Sequence, residues 1–311
     1  MKRFIPILLS IVMVLFASYV VFIKKHQVMM RPKAHEVQAN IGVFERSRPC
    51  VKLPDFLKRM KIKQPVVIDL SQKKYKGIAL YHGKKLQKVL HPKMWEKYGH
   101  FGTYALDKQG NIFLAPTPYI SIKEETFNLQ RNIYKLNSKS GKLDIFMHFD
   151  DVHPSAYNPY GITSLVYDCD DHTLWVSAID ETSYEKQRGV IYHIDIKTKT
   201  ILQKIEGLDA LTLSLVSGKE GKHLLVGASR ESALYAYKIV NNRVIAKPEK
   251  LFTLVNANEY IRKIKIKSKN RLELQTVPFM YSLVVQTAKK DRRYYRLIWN
   301  EEKVKWSISY N

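Results

Sequence analysis

From Val66 to the end of the chain, apolar and polar residues alternate in short runs broken by glycine, asparagine, aspartate and serine. Alternation with a period of two marks strands with one buried face, and the breakers are the residues that tight turns favour. Five hairpins stand out: YALDKQGNIFLAP (104–116), YKLNSKSGKLDIF (134–146), VYDCDDHTLWVSA (166–178), SLVSGKEGKHLLVGA (214–228) and IKIKSKNRLELQTV (264–277). Past the entry region no amphipathic helical pattern is sustained, which argues against a parallel β/α architecture.

Hairpin tips recur near residues 109, 170, 219 and 269, with a weaker member at Ser71–Tyr75. A unit of roughly 40–50 residues and four strands is the signature of propeller blades. The expected fold class is therefore all-β, a five- or six-bladed β-propeller over residues 57–311, with Trp175 and Val176 in a central strand of their blade. A β-sandwich with long excursions is the alternative; it explains many short strands but not the recurring unit.

One segment breaks the pattern. Residues 4–23 read FIPILLSIVMVLFASYVVFI, without a charge, between Lys2-Arg3 and Lys24-Lys25. At 1.5 Å per residue this spans a bilayer core of ~30 Å, and it exceeds the apolar core of a cleavable signal peptide. The sequence predicts one N-terminal transmembrane helix over 4–23 after a cytoplasmic stub (1–3). A polar tether (24–56) follows, and after Pro54 a short amphipathic stretch, DFLKRMKI, reads as a turn or two of helix. Basic residues flank the apolar segment on both sides, so charge bias decides little. The very short stub favours an extracytoplasmic domain, in a periplasm or at the cell exterior, over a cytoplasm-facing scaffold.

Fifty-two Lys and Arg against 28 Asp and Glu give a formal charge of +24, which favours anionic partners. The excess is uneven. Residues 57–98 carry 12 basic and two acidic side chains and residues 261–311 carry 13 and four, whereas residues 101–200 carry 10 and 13. In a closed ring the first and last blades would be neighbours and their basic surfaces would merge. Lys263, Lys265 and Lys267 alternate with Ile264 and Ile266, placing three ammonium groups on one strand face. That face suits an anionic lipid or glycan, although lysines also protect exposed edges from aggregation. A protein partner is a further expectation, and nucleic acid is not expected for an exported domain. Cys50 and Cys169 form no C-x-x-C; they would pair in an oxidising compartment or stand as two buried thiols.

Residues 160–206, YGITSLVYDCDDHTLWVSAID through GVIYHIDIKTKTILQKIEG, resemble one blade of the SMP-30/gluconolactonase and NHL-like propellers, and 105–143 resemble a weaker copy. The resemblance implies a propeller and raises a metal-dependent hydrolase as one activity. The family's metal ligands sit just before a glycine, where this chain has Tyr160, and Leu211-Thr212-Leu213 supplies no carboxylate in the next blade. No metal site is therefore expected; a divalent cofactor has no motif to support it. Asp168, Asp170 and Asp171 read as turn residues, and His148, Asp150, Asp151 and His153 as a solvated loop with the composition of a weak metal site. No nucleophile elbow, phosphate loop or zinc-protease motif occurs. Residues heading the inner strands, Thr103, Tyr160, Thr163, Thr212, Ser214 and Arg262, are the candidate ligand site at the channel mouth. The sequence thus favours a membrane-tethered binding module over the hydrolase.

Overall fold

The structure, a computed structural model, describes residues 35–46, 50–70, 74–118, 127–183, 185–219, 221–256, 258–281 and 292–310. The expected transmembrane segment, 4–23, lies outside the described residues, and among those residues no helix is long and apolar enough to cross a membrane.

Two short strands, β1 (His35–Gln38) and β2 (Phe44–Arg46), precede helix α1 (Asp55–Arg59). The first sheet has three strands, β3 (Val66–Asp69), β4 (Ala79–His82) and β5 (Lys88–Leu90). The second contains β6 (Phe101–Leu106), β7 (Ile112–Pro116), β8 (Asn132–Leu136) and β9 (Leu143–His148). The third contains β10 (Ile162–Tyr167), β11 (Thr173–Ile179), β12 (Gly189–Asp195) and β13 (Ile201–Glu206). In the fourth, β14 (Ala210–Gly218), β15 (Gly221–Ala228) and β16 (Ala233–Val240) are followed by β17 (Arg243–Val244) and β18 (Glu249–Thr253), both paired to β16. The fifth contains β19 (Tyr260–Ser268), β20 (Arg271–Val277), β21 (Arg293–Asn300) and β22 (Lys305–Tyr310). All pairings are antiparallel, and β6, β10, β14 and β19 pack in succession as the inner strands of a five-sheet propeller.

Alternation along each strand sends one side-chain set into each inter-sheet core. Phe113, Phe146, Leu174 and Val176 fill the space between the second and third sheets. Trp175, Ile191, Leu213 and Leu224 fill the next, and Leu225, Leu272, Leu297 and Trp306 the one after. Every residue of β11 is buried because the strand is flanked in its own sheet and covered on both faces; Trp175 and Val176 lie there as expected. Burying such side chains fully contributes about 1.5–3 kcal/mol each before chain entropy is counted.

The stretch expected as a polar tether takes part in the fold from residue 35 onward. β1 joins the fifth sheet outside β22, with Val37 opposite Trp306. β2 pairs with the far end of β14, and the Phe44 ring lies 5.8 Å from that of Trp306. Cys50 is then disulfide-bonded to Cys169 of the third sheet, which decides the open question of pairing. The Asp55 amide donates to Ser138 Oγ at 3.0 Å in the second sheet, and α1 buries Phe56 and Leu57 there. The N-terminal segment is thus a strap that crosses the fifth, fourth, third and second sheets before the first is built.

The first and last sheets do not merge as expected. Among the described residues, no apolar core joins β3–β5 to β19–β22. The first sheet instead turns Ile68 and Leu80 toward Phe101, Ile112 and Leu114 of the second. Its three short strands lack the length that lets the other sheets present two packed faces. The outer face of the fifth sheet is consequently open to solvent.

The acidic cluster behaves as a turn. Asp168 accepts the Asp170 amide at 3.1 Å and Asp171 that of Thr173 at 3.2 Å. Asp168 also binds Lys222 across to the fourth sheet, and Trp175 Nε1 donates to it at 3.4 Å. The His148–His153 group divides: His148 stays 3.4 Å from Asp150, while Asp151 pairs with Lys204 at 3.0 Å and His153 with Asp180 at 3.1 Å.

Candidate functional site

Each of the four inner strands breaks register at the same level: between Phe101 and Thr103, Ile162 and Ser164, Ala210 and Thr212, and Ile261 and Lys263. A bulge leaves one residue out of the ladder and re-aims it. Here the four residues are Gly102, Thr163, Leu211 and Arg262, and they meet at the channel mouth. Arg262 Nη1 donates to the Leu211 carbonyl at 2.7 Å and reaches the Thr163 carbonyl at 3.5 Å. Its Nη2 lies 3.0 Å from the position a Cβ on Gly102 would occupy, so only glycine leaves the guanidinium its full space.

Arg262 is half-buried, and burial pulls its guanidinium below its ordinary pKa, with Tyr160 acting in the opposite sense. Among the described residues no carboxylate pairs with it. Two carbonyls occupy one nitrogen; the rest of the planar fork is available to an anion.

The other expected residues divide. Tyr160 stands at the mouth, its ring 4.9 Å from that of Phe279. Thr163 is buried, its Oγ1 donating to the Ala210 carbonyl at 2.6 Å and lying 2.9 Å from Ser177 Oγ, so its side chain joins sheets. Thr103 follows the Gly102 bulge and pairs with Ala115. Thr212 is buried with its methyl 2.8 Å from where a Gly227 Cβ would fall, and Ser214 lies two residues further from the mouth. Of the expected set, Tyr160, Thr163 and Arg262 meet at the mouth; Thr103 and Thr212 hold equivalent positions just past the bulges of β6 and β14, and Ser214, half-buried, lies further along β14.

A cleft of about 450 Å³ opens beside this mouth, lined by Ser229, Arg230, Tyr260, Phe279 and Tyr281 among others. Phe279 lies 6.1 Å from Tyr260 and 5.3 Å from Tyr281, and with Tyr160 these rings cover Leu211. Behind them Asp209 is fully buried. It accepts from Tyr281 Oη at 2.7 Å and Thr182 Oγ1 at 2.8 Å, and lies 3.6 Å from Arg230 Nε. Burial raises its pKa against the opposing donors. Ser229 Oγ is 2.9 Å from Tyr281 Oη, which extends the network to the cleft wall. Asp209 and the PFMY run at 278–281 were missed from sequence; the available signal was that Asp209 immediately precedes an inner strand, β14.

Lys263, Lys265 and Lys267 lie away from this mouth. They are exposed on the open face of the fifth sheet, with Lys265 and Lys267 at 3.0 and 3.6 Å from Glu273. Among the described residues no group of three His, Cys, Asp or Glu side chains is arranged to hold a metal ion.

No family model matches the chain, and no curated protein sequence matches it. Solved structures that resemble it include a putative gluconolactonase, at 13% identity and TM-score 0.44, covering 90% of this chain and 93% of that one. A glucose dehydrogenase shows 16% identity and TM-score 0.42, covering 90% and 84%. A protein of unknown function from Bacteroides caccae shows 12% identity and TM-score 0.44, covering 77% and 85%. At these identities and scores the likeness carries no argument, and the architecture stands on the five sheets and their inner strands: the chain is an all-β five-bladed propeller.

Proposed function

We propose that this chain is a membrane-tethered, extracytoplasmic binding module that takes a small organic anion at its channel mouth. The observation that carries this reading is Arg262, a permanent cation held among carbonyls with no carboxylate partner among the described residues. A half-desolvated cation is costly to leave uncompensated, and a ligand carboxylate would supply two parallel hydrogen bonds. Tyr160, Phe279 and Tyr260 offer apolar cover for the rest of the ligand. Tethering rests on the uncharged run 4–23, and the Cys50–Cys169 bond supports an oxidising compartment.

The test is calorimetric titration with benzoate as the probe and benzamide as its neutral counterpart. Benzoate binding with little benzamide binding is expected, weakened about tenfold or more by Arg262→Gln and partly kept by Arg262→Lys. Equal binding of both probes, or no effect of either substitution, would overturn the assignment.

Hydrolysis is the second reading, favoured by Asp209, a buried carboxyl beside the cleft whose pKa burial raises. Lactone turnover on added Ca²⁺, Mn²⁺ or Zn²⁺, abolished in Asp209→Asn, would support it.

A further inference from the structure

We infer that the fifth sheet lies face-down on an anionic membrane surface, so that the ring stands on edge with its channel parallel to the bilayer. This rests on the tethering part of the reading above and is independent of the ligand at the channel mouth.

Cross-strand register identifies the face. Lys263 is opposite Gln275, Lys265 opposite Glu273, Glu273 opposite Arg296, and Arg271 opposite Ile298. These side chains alternate with Leu272, Leu274, Tyr295 and Leu297, which point into the core against the fourth sheet. The outward set therefore holds Lys263, Lys265, Lys267, Arg271, Arg296 and Lys305 against two carboxylates, Glu36 and Glu273, each already paired with lysine. Lys263, Arg271 and Arg296 have no carboxylate partner among the described residues. Tyr294 and Ile298, each 37% exposed, stand among them. Cationic side chains with interspersed aromatic and aliphatic groups suit a headgroup layer, where ammonium groups meet phosphate and the apolar bodies reach inward.

The occupant is indicated by where the tether arrives. β1 is the edge strand of this same sheet, and it begins at His35, only residues 24–34 after the apolar segment. Eleven extended residues reach at most about 38 Å. The bilayer thus lies within that reach of this blade's edge strand, and a short tether makes the encounter intramolecular at high effective concentration. The inner strands run along the channel, so a sheet laid flat on the membrane brings the channel axis parallel to it. The cleft at the mouth then opens sideways, along the membrane surface.

The test uses the full-length chain, one copy per lipid nanodisc, in discs of phosphatidylcholine with or without phosphatidylglycerol. Amine-reactive labelling read by mass spectrometry reports each lysine. Labelling of Lys263, Lys265 and Lys267 is expected to slow about threefold or more in anionic discs and to recover in ~1 M salt, where the screening length falls to ~3 Å. Lys108, Lys135, Lys197 and Lys199, which line a separate cleft of about 620 Å³, serve as the control and should label equally in both discs. Replacing Lys263, Lys265 and Lys267 with Gln should abolish the lipid-dependent protection of Lys305; Lys263→Gln alone serves if the triple variant does not fold. Equal labelling in the two lipids, or equal slowing of both lysine sets, would overturn the inference. Protection that needs two chains per disc whatever the lipid would also overturn it, in favour of a second copy of the chain.

Discussion

At the residue scale, the mouth depends on a few side chains whose chemistry is not interchangeable. Arg262 and Thr163 were legible because each sits at the start of an inner strand, which the repeating hairpins locate. Asp209 was not legible: a lone carboxylate beside an alanine gives no sign that Tyr281, 72 residues on, will donate to it. Its burial makes a prediction about pH. A carboxyl held above its ordinary 3.8 binds its proton more tightly in the folded chain than in the unfolded one. The stabilisation due to that proton is complete below about pH 4 and is lost as the pH rises through the folded value. The stability of the native chain relative to Asp209→Asn should therefore fall from about pH 4 upward and level off above the folded pKa. Urea denaturation of both proteins from about pH 4 to 7 measures this. A relative stability that rises with pH would mean that the Tyr281 and Thr182 donors hold the carboxyl below its ordinary value.

At the element scale, strands with clean alternation and turn residues at their tips emerged from sequence with their hairpins intact. β1 and β2 did not. They are four and three residues long, and their partners lie in β22 and β14, far along the chain, so no local pattern announces them. The strap they begin is fastened by Cys50–Cys169, whose separation of 119 residues is long. By chain-entropy reasoning a cross-link over roughly 100 residues contributes up to about 4.7 kcal/mol, with measured losses on removal of about 2–5 kcal/mol. Replacing both cysteines with serine should lower the unfolding free energy by about that amount in urea titrations, with the sheets still formed by circular dichroism. A loss under about 1 kcal/mol would mean that the pairing of β1 and β2 already fixes the strap.

At the scale of the whole molecule, the period of the hairpins foretold a ring but not how its ends relate. Repetition reports how many similar units exist; packing between the first and last units depends on the one sheet that departs from the pattern, β3–β5. The open fifth sheet follows from that departure. Because the described fold begins at His35, removing residues 1–25 should release a folded, soluble domain. Removing residues 1–46 should not, since it strips β1 from Trp306 and Ile308 and takes away Phe44. Gel filtration and thermal melting of the two truncations test this. Equal melting temperatures would show that the strap lies on the ring without supporting it.

The pairing of the first strand with the last also sets an order of events during synthesis. His35–Gln38 emerges long before its partner, Lys305–Tyr310. Throughout elongation the early strand has an unsatisfied hydrogen-bonding edge, the kind of edge that pairs indiscriminately with other chains. Its own Glu36 and Gln38, polar and exposed, are suited to keeping that edge apart from neighbours until β22 arrives. A chain stopped short of Lys305 leaves β1 without its partner strand, so the β1–β22 seam distinguishes chains that have reached β22 from those that have not.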